Sequence, residues 1–145
     1  MLNFPLPPSK GMKITKISPT VATGTTTITP THVDMRGFMG VIFLISFGSS
    51  AADIGAKIQQ GLLSDDSDMA DLAGSLTLLD GTKKQLVIDV KGPSDTYVRP
   101  SIQRTTTTTI ESVWAIQYGP RDLPIDNVAA DQVVKLLEDA LEGTA

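Results

Sequence analysis

Seven consecutive residues, Val41-Ile42-Phe43-Leu44-Ile45-Ser46-Phe47, are apolar at every position but one. The run is far too short to cross a membrane as a helix, which takes about 20 apolar residues. Glycines bound it on both sides, and its side chains are largely β-branched or aromatic, so it reads as a strand. Being apolar on both faces, it belongs at the centre of the structure, buried inside a sandwich. The partners of that strand must come from a chain of 145 residues, the size of one domain.

The rest of the sequence provides them. Threonine occurs 17 times, with runs at 25–27 and 105–109, and its branched Cβ favours a pleated surface. Short alternating or Thr-rich segments follow one another at 12–18, 21–29, 40–48, 54–61, 75–79, 85–91, 95–104 and 107–117. Turn formers separate them: Pro19, Pro30, Gly48, Asp80-Gly81 and Gly92-Pro93. About eight short strands at this spacing predict an all-β fold, an antiparallel β-sandwich of jelly-roll-like type, over 12–125. Residues 1–11 hold Pro5, Pro7 and Pro8 and read as an extended N-terminal arm. Residues 126–145 read as a tail with a short C-terminal helix, because Val133, Leu136, Leu137, Ala140 and Leu141 share a helical face. Asp126 or Asn127 would cap it.

The residues that usually carry chemistry are sparse. There is no cysteine and one histidine, His32, in a connecting segment, so the sequence supports neither a zinc site nor a Ser-His-Asp triad. Asp65, Asp66, Asp68 and Asp71 lie close together but lack the spacing of a calcium loop, and read as a solvated polar loop. Gly37-Phe38-Met39-Gly40 precedes a strand where a phosphate loop would precede a helix. Trp114 falls in a strand-like segment and is expected in the core. The expectation is a non-enzymatic protein with no catalytic residues, metal or cofactor. The net charge of −4 disfavours a nucleic-acid partner, and no segment suits a membrane or a signal peptide. Charge is nonetheless polarised. Lys10, Lys13 and Lys16 open the chain, and five acids against Lys135 close it.

An ordered set of blocks adds to this reading. They are Val33-Asp34-Met35-Arg36-Gly37-Phe38-Met39-Gly40 before the apolar strand, Ile58-Gln59-Gln60, Ser64-Asp65-Asp66, Ala70-Asp71-Leu72-Ala73-Gly74, Gly92 through Tyr97-Val98-Arg99, and Gly119-Pro120-Arg121-Asp122-Leu123-Pro124. In that order they resemble small structural proteins of tailed phages, in particular capsid decoration (cement) proteins. Two departures stand out: Asp68-Met69-Ala70 replaces an aromatic after the Ser-Asp-Asp element, and the long tail is not typical of the group.

The resemblance implies a virion protein made in the host cytoplasm and bound to the outside of the shell formed by the major capsid protein. It also implies a homo-oligomer, a trimer in the first instance. Partner-binding residues are then expected outside the sandwich: Phe4, Pro5, Pro7, Pro8 and Lys10 in the arm, Arg121 in the Gly-Pro-Arg element, and Leu136 and Leu137 in the tail. By default the tail's apolar face covers its own sandwich, with a neighbouring subunit as the alternative. The alternatives are a head–tail connector or tail component, and a carbohydrate- or receptor-binding sandwich, which would need exposed aromatics.

Overall fold

The computed structural model describes residues 6–129 and 131–137. Among these residues ten strands form two antiparallel five-stranded sheets. In the first, β1 (Lys13–Ser18) and β2 (Val21–Gly24) both pair with β10 (Thr108–Tyr118). β4 (Gly40–Phe47) follows, then β8 (Gln85–Lys91) at the edge. In the second sheet, β3 (Val33–Asp34) pairs with β9 (Tyr97–Arg104), β9 with β5 (Ile54–Gly61), and β5 with both β6 (Ala70–Asp71) and β7 (Thr77–Leu78). The chain alternates between the sheets: β3 to β4, β4 to β5, β7 to β8, β8 to β9 and β9 to β10 all cross over.

One core lies between the layers. Val41, Phe43, Ile45 and Phe47 of β4 point into it, with Val113 and Ala115 of β10 from the same sheet. Ile54, Ala56 and Ile58 of β5 and Val98 and Ile102 of β9 face them from the other. The all-β expectation holds, and the apolar run is indeed a central strand. It is buried on one face only: Ile42, Leu44 and Ser46 sit half-buried on the outside of the sheet. Trp114 is also there, in contrast to its expected core position, because β10 turns Val113 and Ala115 inward.

Pro100 is fully buried in the middle of β9, where a proline would normally break a ladder. Ile102 exchanges both backbone bonds with Ile28, at 2.8 and 2.9 Å. Residue 100, two positions away, therefore directs its nitrogen to the same side, into the gap between Ile28 and β3, where no N–H is needed.

The end of the sandwich at the β9–β10 turn is closed by hydroxyls. Thr105 Oγ1 donates to the Asp53 carbonyl at 2.8 Å, and Thr106 Oγ1 to the Asp53 carboxylate at 2.8 Å. These bonds hold the Asp53 carboxyl below its usual range. Beside them Arg104, 2% exposed, donates from Nε to the Thr26 carbonyl, from Nη1 to the Ala22 and Thr108 carbonyls, and from Nη2 to Thr26 Oγ1, each at 2.9 Å. The threonine run is thus a clasp between turns.

The described parts of both predicted extensions differ from expectation. Residues 8–11 form a single helical turn, α1 (Pro8–Gly11), with Pro8 at its first position, where a missing N–H costs nothing. The described part of the tail, 128–129 and 131–137, contains no helix; Ala129 and Gln132 form an isolated bridge and 133–137 is irregular. Residues 138–141 of the expected helix lie outside the described residues. No helix among the described residues is long and apolar enough to cross a membrane.

Candidate functional site

The blocks that carry the resemblance are distant in sequence, and the fold gathers them at one end of the sandwich, with Asp71 alongside. Asp34 pairs with Tyr97 in the β3–β9 ladder, and its carboxylate takes Arg36 Nε at 2.9 and 3.0 Å. That guanidinium holds the Asp34 carboxyl below its usual range. Gln117, 5% exposed, reaches from β10 across the sandwich to donate to the Asp34 carbonyl at 2.7 Å. Arg121 N–H donates to the Gly37 carbonyl at 2.7 Å, which ties the Gly-Pro-Arg element to the turn before β4. Gln60 Nε2 donates to Ser94 Oγ at 2.7 Å.

A polar chain crosses the outer face of the second sheet at this end. Lys57 Nζ and Gln59 Nε2 donate to the Asp71 carboxylate at 2.6 and 3.0 Å. Arg99 donates from Nε to Gln59 Oε1 at 3.1 Å and from Nη1 to Asp66 Oδ2 at 2.9 Å. Asp66 Oδ1 lies 2.6 Å from His32 Nδ1, and the His32 ring packs on Tyr97 with centroids 4.6 Å apart. Asp66 adopts a φ of 63° to fold back in this way. The four acids of the loop are therefore all engaged: Asp65 by Ser67, Asp66 by His32 and Arg99, Asp68 by the Leu62 and Leu63 N–H groups, Asp71 by Lys57 and Gln59. Among the described residues no cluster of three or more His, Asp or Glu could hold a metal ion.

The outer face of the first sheet is built differently. Cross-strand pairing sets Ile14, Ile116 and Ile42 in one row, and Trp114, Leu44 and Val87 in the next. Around them stand Lys16, Asp89, Gln85, Ser46 and Ser112. Val87 is 62% exposed, and Leu44, Val87 and Trp114 line a shallow groove of about 170 Å³. Together these residues form an apolar strip with a polar rim, in which Val87 is exposed and Ile14, Ile42, Leu44, Trp114 and Ile116 are half-buried. Had the period-2 pattern been aligned on Val113 and Ala115, it would have placed Trp114 here. At the rim, Tyr118 Oη donates to Asp89 Oδ1 at 2.6 Å, which raises the Tyr118 pKa to about 12. The bond requires the protonated phenol. Its contribution is therefore complete below pH 10, the ordinary value, and is lost as the pH rises toward 12. Between those values the wild-type protein should lose more stability than Tyr118→Phe in urea titrations; parallel losses would show that the bond contributes nothing.

The residues expected to bind a partner are scattered among different environments. Phe4 and Pro5 lie outside the described residues. Pro7 is half-buried and Pro8 exposed, both at α1. The Lys10 side chain is exposed, while its carbonyl accepts from Ile125 N–H at 2.8 Å. Arg121 is exposed beside Gly37, Leu136 is half-buried, and Leu137 is 68% exposed. The residue that organises this region is Asn127, expected as a helix cap and found 3% exposed. Its Oδ1 accepts from Ile14 N–H at 2.7 Å, and its Nδ2 donates to the Ser9 and Met12 carbonyls at 2.9 and 2.7 Å. Gln132 Nε2 adds a bond to the Ile14 carbonyl at 3.1 Å. Residues 9–14 are thereby fastened to 125–132. Asn127→Ala should cost about 1–3 kcal/mol by leaving these groups unpaired. It should also make the bonds near Ser9 early sites of limited proteolysis. Wild-type stability and cleavage would show that the clasp does not hold the ends.

Compared with known protein families, curated proteins and solved structures, the chain matches none.

Proposed function

We propose that the chain is a non-enzymatic structural protein of a tailed-phage virion. In this reading it is a capsid decoration protein that binds the outer surface of the major capsid protein shell and stabilises it. The observation that carries this reading is the convergence of the resembling blocks: Asp34–Arg36, Gln59-Gln60, Asp66, Ser94–Arg99 and Gly119–Arg121 interlock at one end of the fold. Residues so far apart in sequence act there as one structural unit, which is what a shared family pattern encodes. The strand orders β1-β10-β4-β8 and β3-β9-β5-β6 are those of a jelly-roll sandwich, an architecture common among capsid proteins. Jelly rolls serve lectins as well, so the strand order supports the reading by analogy alone.

The surface best suited to the shell is the apolar outer face of the first sheet, because the second sheet's outer face is occupied by its own ion pairs. Repeated over an icosahedral lattice, such a shallow patch gains avidity through many copies. The purified protein should rebind capsids stripped of it and raise their resistance to heat. Leu44→Asp should fold and yet rebind at least about tenfold more weakly, since a carboxylate on the patch must be desolvated on docking. Wild-type protein that neither rebinds nor stabilises stripped capsids would refute the decoration role. Undiminished rebinding by Leu44→Asp would refute the assigned face.

A further inference from the structure

We propose that the free edge of β8 is an interface between two copies of this chain, paired antiparallel about Ile88. β8 has β4 on one side only. The bonds at its ends fix which way its backbone points. The Lys84 carbonyl accepts from Phe47 N–H at 2.8 Å, and Gly92 N–H donates to the Met39 carbonyl at 2.7 Å. Even-numbered residues thus bond toward β4, and Gln85, Val87, Asp89 and Lys91 direct their N–H and C=O groups away from the sheet. Among the described residues these groups have no partner. The edge runs seven residues in unbroken register, with no proline or glycine. Its charges, Asp89 and Lys91, sit on the outer face and do not block an approaching strand. Natural edges are usually shortened, bulged or covered.

The sequence of the edge specifies its occupant. Self-pairing about Ile88 engages all seven residues and aligns the outward-pointing groups of one copy with those of the other. Gln85 then stands opposite Lys91 of the other copy, and Val87 opposite Asp89, with no like charges facing. An axis at Asp89 would oppose the two aspartates, and an axis at Val87 would oppose Lys91 to Lys83. On the core side, Leu86 meets Val90 of the other copy and Ile88 meets Ile88. Ile88 and Val90 are only half-buried in one chain, so pairing covers apolar surface that the single sandwich leaves open. The two first sheets become one continuous sheet, and their apolar outer faces lie side by side. Such a contact is isologous and two-fold, unlike the three-fold arrangement expected from the sequence. It does not depend on what the outer face binds.

Sedimentation velocity of the full chain over a concentration series, with amide hydrogen exchange, tests this. A dimer is expected, with the amides of Gln85, Val87, Asp89 and Lys91 protected and losing protection on dilution. Gln85→Lys, an exposed change, sets two lysine pairs across the interface and should weaken the dimer about tenfold. Adding Lys91→Glu should restore it, with circular dichroism verifying the fold of both variants. A monomer at every concentration overturns the proposal, whether or not those amides are protected. A dimer unmoved by Gln85→Lys places the interface elsewhere, and a double variant that fails to recover overturns the register about Ile88.

Discussion

Phe43→Asp is expected to give no folded protein, whereas Leu44→Asp, one residue along the same strand, gives a soluble one. Phe43 has no exposed surface and stands between Ala115 and Ile88 in the ladder, facing the second sheet. Removing a buried phenylalanine alone costs about 3–5 kcal/mol. Placing a carboxyl there adds a desolvation cost of several kcal/mol, whether it ionises or stays protonated without a partner. The sum approaches or exceeds the whole stability of a typical domain, about 5–15 kcal/mol. Leu44 points outward, so its replacement meets water. Circular dichroism and sedimentation of the two variants read the difference directly. A folded Phe43→Asp protein would mean that the inward face of β4 is misassigned, since side chains along a strand exchange faces at every residue.

That one-residue contrast also marks where the sequence was legible. The run 41–47 announced a central strand, but its apolarity on both faces has two causes that hydropathy cannot separate. One face fills the core. The other forms an apolar strip that stays half-buried on the outside of the sheet. Strands β5 and β8 were read with their observed bounds because an alternating pattern and flanking turn residues agree there. The two-residue strands β3 and β6 were hidden in apparent connections, since a pair of ladder bonds needs no pattern of its own, whereas β7 lies within the segment 75–79 read as a strand.

The described parts of the chain's ends depart from the sequence reading for a related reason. The spacing of Val133, Leu136 and Leu137 is that of a helix, yet helix propensity is a weak local preference. Here Asn127 and Gln132 are drawn instead to the exposed backbone of β1. In the same way three prolines suggested an extended arm, and Pro8 instead begins the turn that Asn127 fastens. The convergence of His32, Asp66, Arg99 and Tyr97 had no sequence signal beyond the blocks themselves, because their spacing is set by the crossing of strands between sheets.

Arg104→Met is expected to destabilise the protein by about 2–4 kcal/mol, the second-largest single-residue effect in view. The substitution keeps much of the buried stem and removes every donor, so it isolates the hydrogen bonds from the packing. Four acceptors lose their partner: the Ala22, Thr26 and Thr108 carbonyls and the Thr26 hydroxyl. The bond to Thr108 is fully buried, so its carbonyl is the one least open to rescue by water, and an unpaired buried acceptor costs about 1–3 kcal/mol. The others lie nearer the surface and recover part of their loss through solvent. Arg104→Lys should recover little, because one ammonium at the end of a flexible stem cannot reproduce a planar fork that reaches β2, the following loop and the start of β10 together. Urea unfolding of the three proteins reads these differences as shifts in midpoint at constant slope. A loss below about 1 kcal/mol for Arg104→Met would show that water replaces the guanidinium and that the buried cation does not hold this end of the sandwich closed.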